Sequence, residues 1–217
     1  MISQEEQKRL VGTKSGEFIT DGMTLGLGTG STAKYAVEAA ADTGFELTCV
    51  PTSIATKEQA ESLGLDVVER GEVVEIDLTI DGADQFDVNT GNCIKGGGGA
   101  HYIEKQVAKK SEKLVIIVDE SKVVDSLAGY GIPLEVDPHK REEVEQALED
   151  YELVVRDETS DSDNLIVDVK YEGEESVEEF EEFLMGIDGV IDTGFFIGLA
   201  DVLIVARATG EVEVIEY

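Results

Sequence analysis

The chain reads as an α/β protein: a parallel, doubly wound sheet carrying a smaller α+β unit toward its C-terminal end. Three observations lead there. Short apolar runs at Met23–Leu27, Leu47–Val50, Val73–Ile80 and Leu114–Val118 alternate with helical stretches. The chain turns sharply after these runs, at the strand ends where open parallel sheets bind their ligands. From about Ser126 the order becomes strand, helix, strand, strand, helix, strand, the split βαβ pattern of ferredoxin-like units. The first part is therefore expected to be Rossmann-like and the second a ferredoxin-like insertion.

Residues 3–18 predict an opening helix, with Ser3 as N-cap and acids in its first turn. Met23–Leu27, the turn Gly28-Thr29-Gly30-Ser31-Thr32 and the alanine-rich segment Ala33–Ala41 give strand, glycine turn and helix. Leu47–Val50 is a second strand, Pro51-Thr52-Ser53 turns into a helix over Ala55–Leu63, and Val67–Val68 is a short strand. Val73–Ile80 continues the sheet and ends in Asp81-Gly82-Ala83-Asp84. Lys95 and four glycines feed a helix over Ala100–Lys110, and Leu114–Val118 runs out into Asp119-Glu120-Ser121-Lys122.

In the second part Ile132–Val136, Glu152–Val155, Leu165–Tyr171 and Val190–Phe196 read as strands. Arg141–Asp150 and Ser176–Met185 read as helices whose apolar stripes, Val144 and Leu148 on one and Phe180 and Leu184 on the other, turn inward. Their acids form a solvated face. Leu199–Ala206 returns as a strand to the first sheet, and Thr209-Gly210 turns the chain into Glu211–Tyr217. Residues 1–126 with 199–217 are expected to form the catalytic domain and 127–198 the smaller one.

Charge narrows the partners. Forty-eight acidic residues against 17 basic ones give a net charge of −31. Such a field repels nucleic acid and anionic membranes. The acid is spread along the whole chain, which points to molar intracellular salt, where screening relieves self-repulsion. Cys49 and Cys93 supply neither a disulfide framework nor metal-ligand spacing. No basic, apolar leader and no apolar run near 18 residues is seen, so a soluble, cytoplasmic protein is expected.

Three stretches carry the chemistry. Gly26-Leu27-Gly28-Thr29-Gly30-Ser31 invites a dinucleotide reading, but serine holds the third glycine position and no acid follows Val50. What remains is a turn whose amides, with the Ser31 and Thr32 hydroxyls, meet one phosphate at a helix start; the plainer reading is a tight turn with an N-cap. Asp81-Gly82-Ala83-Asp84 places two carboxylates at a strand end, able to bind a cation, hold sugar hydroxyls or shuttle a proton; in so acidic a chain they are equally two ordinary acids. In Lys95-Gly96-Gly97-Gly98-Gly99 the glycines allow close backbone approach, and Glu104 on the next helix leans back toward Lys95. An ammonium, a carboxylate and free amides then converge; alternatively the stretch is a mobile loop before an ordinary first-turn Glu. Lys95 and Lys122 stand out because positive charge is scarce. His101 is either a general base or a structural histidine, and His139 has no evident role.

Taken in order (GTGST, DGAD, KGGGG with a Glu nine residues after the Lys, DESK), the motifs resemble those of the ribose-5-phosphate isomerase A family over nearly the whole chain. Gly194-Phe195-Phe196 and Ala200-Asp201 extend the likeness. The family's glycine stretch is commonly KGGGA, so Gly99 reads as a substitution, expected to be harmless. The Pro51–Thr56 segment departs from a more serine-rich family version.

The resemblance implies aldose–ketose isomerisation between D-ribose 5-phosphate and D-ribulose 5-phosphate in the pentose phosphate pathway, through an enediolate. It assigns Glu104 as carbon base, Lys95 with the amides of Gly96, Gly97 and Gly98 as oxyanion stabiliser, and Asp81 and Asp84 as ligands of the sugar oxygens. Thr29, Gly30, Ser31, Thr32, Lys122 and Lys8 would bind substrate, chiefly its phosphate. It implies no cofactor and no metal, and a homodimer or homotetramer. A dry pocket raises the pKa of Glu104 while Lys95 and the helix end lower it, so no net shift is expected. The alternative is a non-catalytic sugar-phosphate sensor, which would normally carry a DNA-binding segment; no basic helix-turn-helix pattern is present.

Overall fold

The computed structural model describes residues 1–217. Helix α1 spans Gln4–Ser15, with the Ser3 hydroxyl accepting from the Glu6 amide, and a 3-10 turn over Gly16–Phe18 completes it. Strand β1 (Thr24–Leu27), α2 (Ala33–Asp42), β2 (Thr48–Pro51), α3 (Ile54–Ser62) and β3 (Asp66–Val67) follow. Next come β4 (Leu78–Asp81), β5 (Gln85–Asp87), β6 (Cys93–Ile94), α4 (His101–Ala108), β7 (Leu114–Asp119) and β8 (Val123–Val124). The insertion holds β9 (Tyr130–Val136), α5 (Arg141–Ala147), β10 (Leu153–Val155), β11 (Leu165–Tyr171), α6 (Val177–Met185) and β12 (Val190–Thr193). Strands β13 (Phe195–Phe196), β14 (Val202–Ala206) and β15 (Val212–Glu216) close the chain.

Seven strands in the order β15-β14-β7-β4-β1-β2-β3 form the main sheet, parallel throughout except for the edge pair β14–β15. Both faces are covered, which is why β7 is buried at every position. On one face Val11 of α1 and Val37 of α2 pack with Leu25, Ile80, Ile117 and Ile204. On the other, Ile103 and Val107 of α4 pack with Val50 and Ile76, while Phe86, Cys93 and Phe196 cover Ile116 and Val118. The chain builds outward from β1 to β3, then crosses to β4 on the opposite side of β1. The loops after β1 and β4 consequently leave side by side and diverge, the crevice where such sheets bind ligands.

A second sheet, β10-β11-β9-β12, is antiparallel and encloses its own apolar cluster, with Val144 of α5 and Phe180 and Leu184 of α6 against Leu134 and Val169. A third, β13-β6-β5-β8, has strands of only two or three residues, too short to leave a periodic pattern in the sequence.

Three element boundaries differ from expectation. The Val73–Ile80 run is a strand only from Leu78, and Ile76 makes a lone bridge to Ser111. Glu72, Val74 and Glu75 before it are exposed, so that stretch cannot be an interior strand. Val190–Phe196 is two strands in two sheets, divided at Gly194, where a Cβ would run into Pro133 and the Lys95 carbonyl. The break lets Phe195 pair with Ile94 and lets Gly194 O accept from the Lys95 amide at 2.9 Å, which fixes where Lys95 begins. The Leu199–Ala206 run is a strand only from Val202. No helix is long and apolar enough to cross a membrane.

Candidate active site

Five parts of the chain meet at the crevice between β1 and β4, around a cavity of about 230 Å³. The turn after β1 supplies Thr29, Gly30, Ser31 and Thr32; the turn after β4 supplies Gly82, Ala83 and Asp84. Lys95 and Gly96–Gly98 come from the chain after β6, Glu104 from α4, and Lys122 from the turn after β7. A larger cleft of about 450 Å³ lies beside α3, but its titratable residues, such as Lys57 and Glu69, form an exposed surface pair.

The two helix starts facing the cavity lack side-chain caps. Thr32 does not cap α2 and Ala100 does not cap α4, whereas Ser3, Ser53 and Ser176 cap their helices. The amides of Gly30, Ser31 and Thr32 have no protein acceptor. The N-cap expected of GTGST is therefore absent, and orphan amides at a helix start are a ready anion site. Gly30 has φ +113°, a conformation L side chains rarely adopt. Lys8 reaches across from α1, its ammonium donating to Ser31 Oγ at 2.9 Å. Thr29 Oγ1 lies 2.7 Å from Thr52 Oγ1 and 3.1 Å from Thr56 Oγ1, so the PTSIAT segment backs this turn with hydroxyls.

At the centre is a buried triad. Lys95 Nζ donates to Gly82 O at 2.5 Å and lies 3.0 Å from Asp81 Oδ2 and 3.4 Å from Glu104 Oε2. Asp81 is 1 % exposed, and its Oδ1 accepts from the Gly82 and Thr29 amides at 2.7 and 3.1 Å. Gly28 must be glycine because Asp81 lies where its Cβ would be. Asp84 instead turns to the glycine loop, its Oδ2 accepting from the Gly97 amide at 2.7 Å. The two aspartates thus part company: Asp84 lines the cavity, and Asp81 braces Lys95.

Two carboxyls share one ammonium here, and that decides the protonation states. Burial pushes the Lys95 ammonium down, but Asp81 and Glu104 together hold it well above the usual lysine range. Burial also pushes the Asp81 carboxyl up, against the pull of Lys95. Glu104 also rises, to about 8, through burial first and the neighbouring Asp81 second, with Lys95 offsetting only part of it. The expected balance with no net shift is not struck. One cation cannot fully compensate two anions in a dry pocket. Near neutral pH Glu104 is poised close to ionisation, the condition for efficient proton transfer.

His101 takes no part. Its ring is fully buried with Nε2 3.8 Å from Glu135 Oε2, and burial, with Lys105, Arg156 and Lys95 nearby, pushes it down to about 3. His139 is exposed. Gly99, expected to be harmless, has φ +76°, the left-handed conformation that glycine permits. Sequence reasoning missed Lys105, buried on α4 with its ammonium 2.7 Å from Asp192, and Arg156, whose guanidinium donates to Gly96 O and Gly97 O.

The family described as Ribose 5-phosphate isomerase A (phosphoriboisomerase A) matches residues 48–210. A ribose-5-phosphate isomerase A of Streptococcus gordonii is 40% identical over 223 residues, covering 98% of each chain. The crystal structure of ribose 5-phosphate isomerase A from Neisseria gonorrhoeae superposes with a TM-score of 0.94 at 36% identity, covering 100% of this chain and 98% of that one. A structure of D-ribose-5-phosphate isomerase in complex with phospho-erythronic acid superposes with a TM-score of 0.94 at 31% identity over 100% of both chains.

Proposed function

The chain belongs to the ribose 5-phosphate isomerase A family, and we propose that Glu104 is the base that carries its proton between C1 and C2. The protein interconverts D-ribose 5-phosphate and D-ribulose 5-phosphate. The observation that carries the mechanism is the buried Lys95–Glu104 pair beside uncapped helix starts. Glu104 takes the proton from C2 of the open-chain aldose; the electrons move toward O1 and leave an enediolate. Lys95 and the loop amides stabilise the negative oxygen, each such donor being worth about 3 kcal/mol in the transition state. Return of a proton from Glu104 to C1 gives the ketose, with a proton also moving from O2 to O1. Asp84 holds the sugar oxygens and assists that second transfer, while Asp81 keeps Lys95 in place. Gly30, Ser31, Thr32, Lys8 and Lys122 bind the phosphate, and Thr29 lines the same pocket.

A non-catalytic sensor needs neither Glu104 nor Lys95, yet both are present, buried and in contact, so that alternative is unsupported. Residues 127–198 act in this reading as a smaller domain with its own apolar cluster. The acidic composition belongs to a protein working in molar salt in the cytoplasm, as two or four copies. The assay is ketose formation from ribose 5-phosphate with EDTA present, in molar KCl and in dilute buffer, with sedimentation in both. Turnover that needs the salt supports the reading. A chain that binds the sugar phosphate and never forms ketose would sink it.

A further inference from the structure

The glycine loop is held from behind by an arginine outside the catalytic constellation. Arg156 follows β10; its Nε and Nη2 donate to the two carboxylate oxygens of Asp168 on β11 at 2.7 and 2.6 Å. Its remaining nitrogen, Nη1, donates to Gly96 O at 2.9 Å and Gly97 O at 3.2 Å. A trans peptide points its carbonyl and the following N–H in opposite directions. Drawing Gly96 O and Gly97 O onto Arg156 therefore turns the amides of Gly97 and Gly98 the other way. Gly97 N–H meets Asp84, and Gly98 N–H has no protein acceptor while its residue lines the cavity.

Two successive carbonyls facing one side is not extended-strand geometry. Gly96 at φ +110° permits it, and such runs of amides form anion-binding concavities. The guanidinium on the carbonyl side also orients both peptide dipoles with their positive ends toward the site.

We propose that Arg156, fixed by its fork on Asp168, is a positioning residue for the isomerisation: it aims the Gly97 and Gly98 amides at Asp84 and at the developing oxyanion. The inference rests on the isomerase reading above. Lysine cannot replace it, because one ammonium cannot hold a bidentate carboxylate and two carbonyls together.

The test compares Arg156→Ala, Arg156→Lys and Asp168→Asn with the wild-type chain in the same salt. Steady-state kinetics are joined to binding of two probes: phospho-erythronic acid, whose planar carboxylate imitates the enediolate, and ribitol 5-phosphate, which has no planar centre. Misaligned donors cost turnover and not ground-state binding, so kcat should fall about 10- to 100-fold with KM within about threefold. Phospho-erythronic acid should weaken by a similar factor, ribitol 5-phosphate hardly at all, and methylguanidinium should restore part of the kcat of Arg156→Ala. If that variant fails to fold, Asp168→Asn, of nearly the same shape, carries the test. Unchanged kcat, or equal weakening of both probes, overturns the proposal. A wild-type chain without isomerase activity overturns the functional reading instead, and the contrast between the probes still tests the clamp.

Discussion

Lys95 Nζ stands 3.4 Å from Glu104 Oε2 with both side chains almost wholly buried. An ammonium that close would ordinarily hold a carboxyl below its free value. Here Glu104 moves the other way, because the pocket excludes water and because Asp81, which already claims Lys95 at 3.0 Å, stands beside it. The site thereby keeps a base whose proton affinity lies near working pH beside a cation that remains charged for the oxyanion.

The first consequence is a pH profile. Glu104 must be ionised to remove a carbon-bound proton, so kcat/KM should rise with pH and level off above about 8. A limb near pH 4.5 would show that the triad does not raise Glu104 in solution.

Stability carries the same sign in reverse. A carboxyl raised in the folded state costs nothing below its ordinary value of 4.5; stability is lost as pH rises toward and through about 8. Glu104→Gln removes that loss, so its gain in urea midpoint over wild type should grow from pH 5 to pH 9. An equal gain at both would contradict the shift.

Lys95→Ala leaves two buried carboxyls with no cation. Removing one partner of a buried pair costs about 3–5 kcal/mol, and losing an oxyanion donor costs about 100- to 1000-fold in kcat. Thermal unfolding and single-turnover assays read the two effects separately.

Lys8 meets Ser31 across the crevice at 2.9 Å. Lys8→Ala should raise KM about tenfold or more, the scale of one charge-assisted hydrogen bond, and spare kcat. A fall in kcat at constant KM would place Lys8 elsewhere in the reaction.

Gly99→Ala forces a side chain into a left-handed conformation at φ +76°, where its Cβ would also press on Ile166 Cδ1. The backbone term alone is about 1 kcal/mol, a drop of about 2–4 °C in Tm for a chain of this size. An unchanged Tm would return Gly99 to the neutral role expected from the sequence.

Much of this was legible in the residues. Buried parallel strands are near-continuous apolar runs, so β1, β2 and β7 stand out, and glycine turns mark where they end. Lys95 and Glu104 were readable as a pair because helix geometry leans a first-turn side chain back toward the preceding loop. The protonation of Glu104 was not, since it depends on Asp81 turning inward to share Lys95, a choice no spacing encodes. Nor was Arg156, although it is one of only five arginines in so acidic a chain. Sixty residues separate it from Gly96 O, and only the packing of the second sheet against the loop brings them together. Strands of two residues, such as β6 and β13, likewise carry no pattern until they pair.

The central claim is that Glu104 moves the proton, and Glu104→Gln tests it most directly. The measurement is turnover of ribose 5-phosphate in D2O, followed by NMR for ketose and for deuterium entering at C1, alongside phospho-erythronic acid binding to the same preparation. The account predicts wild-type ketose formation with deuterium incorporation, and for Glu104→Gln a loss of at least about 1000-fold in both with the ligand still bound. Turnover by Glu104→Gln within about tenfold of wild type, with exchange continuing, would contradict it.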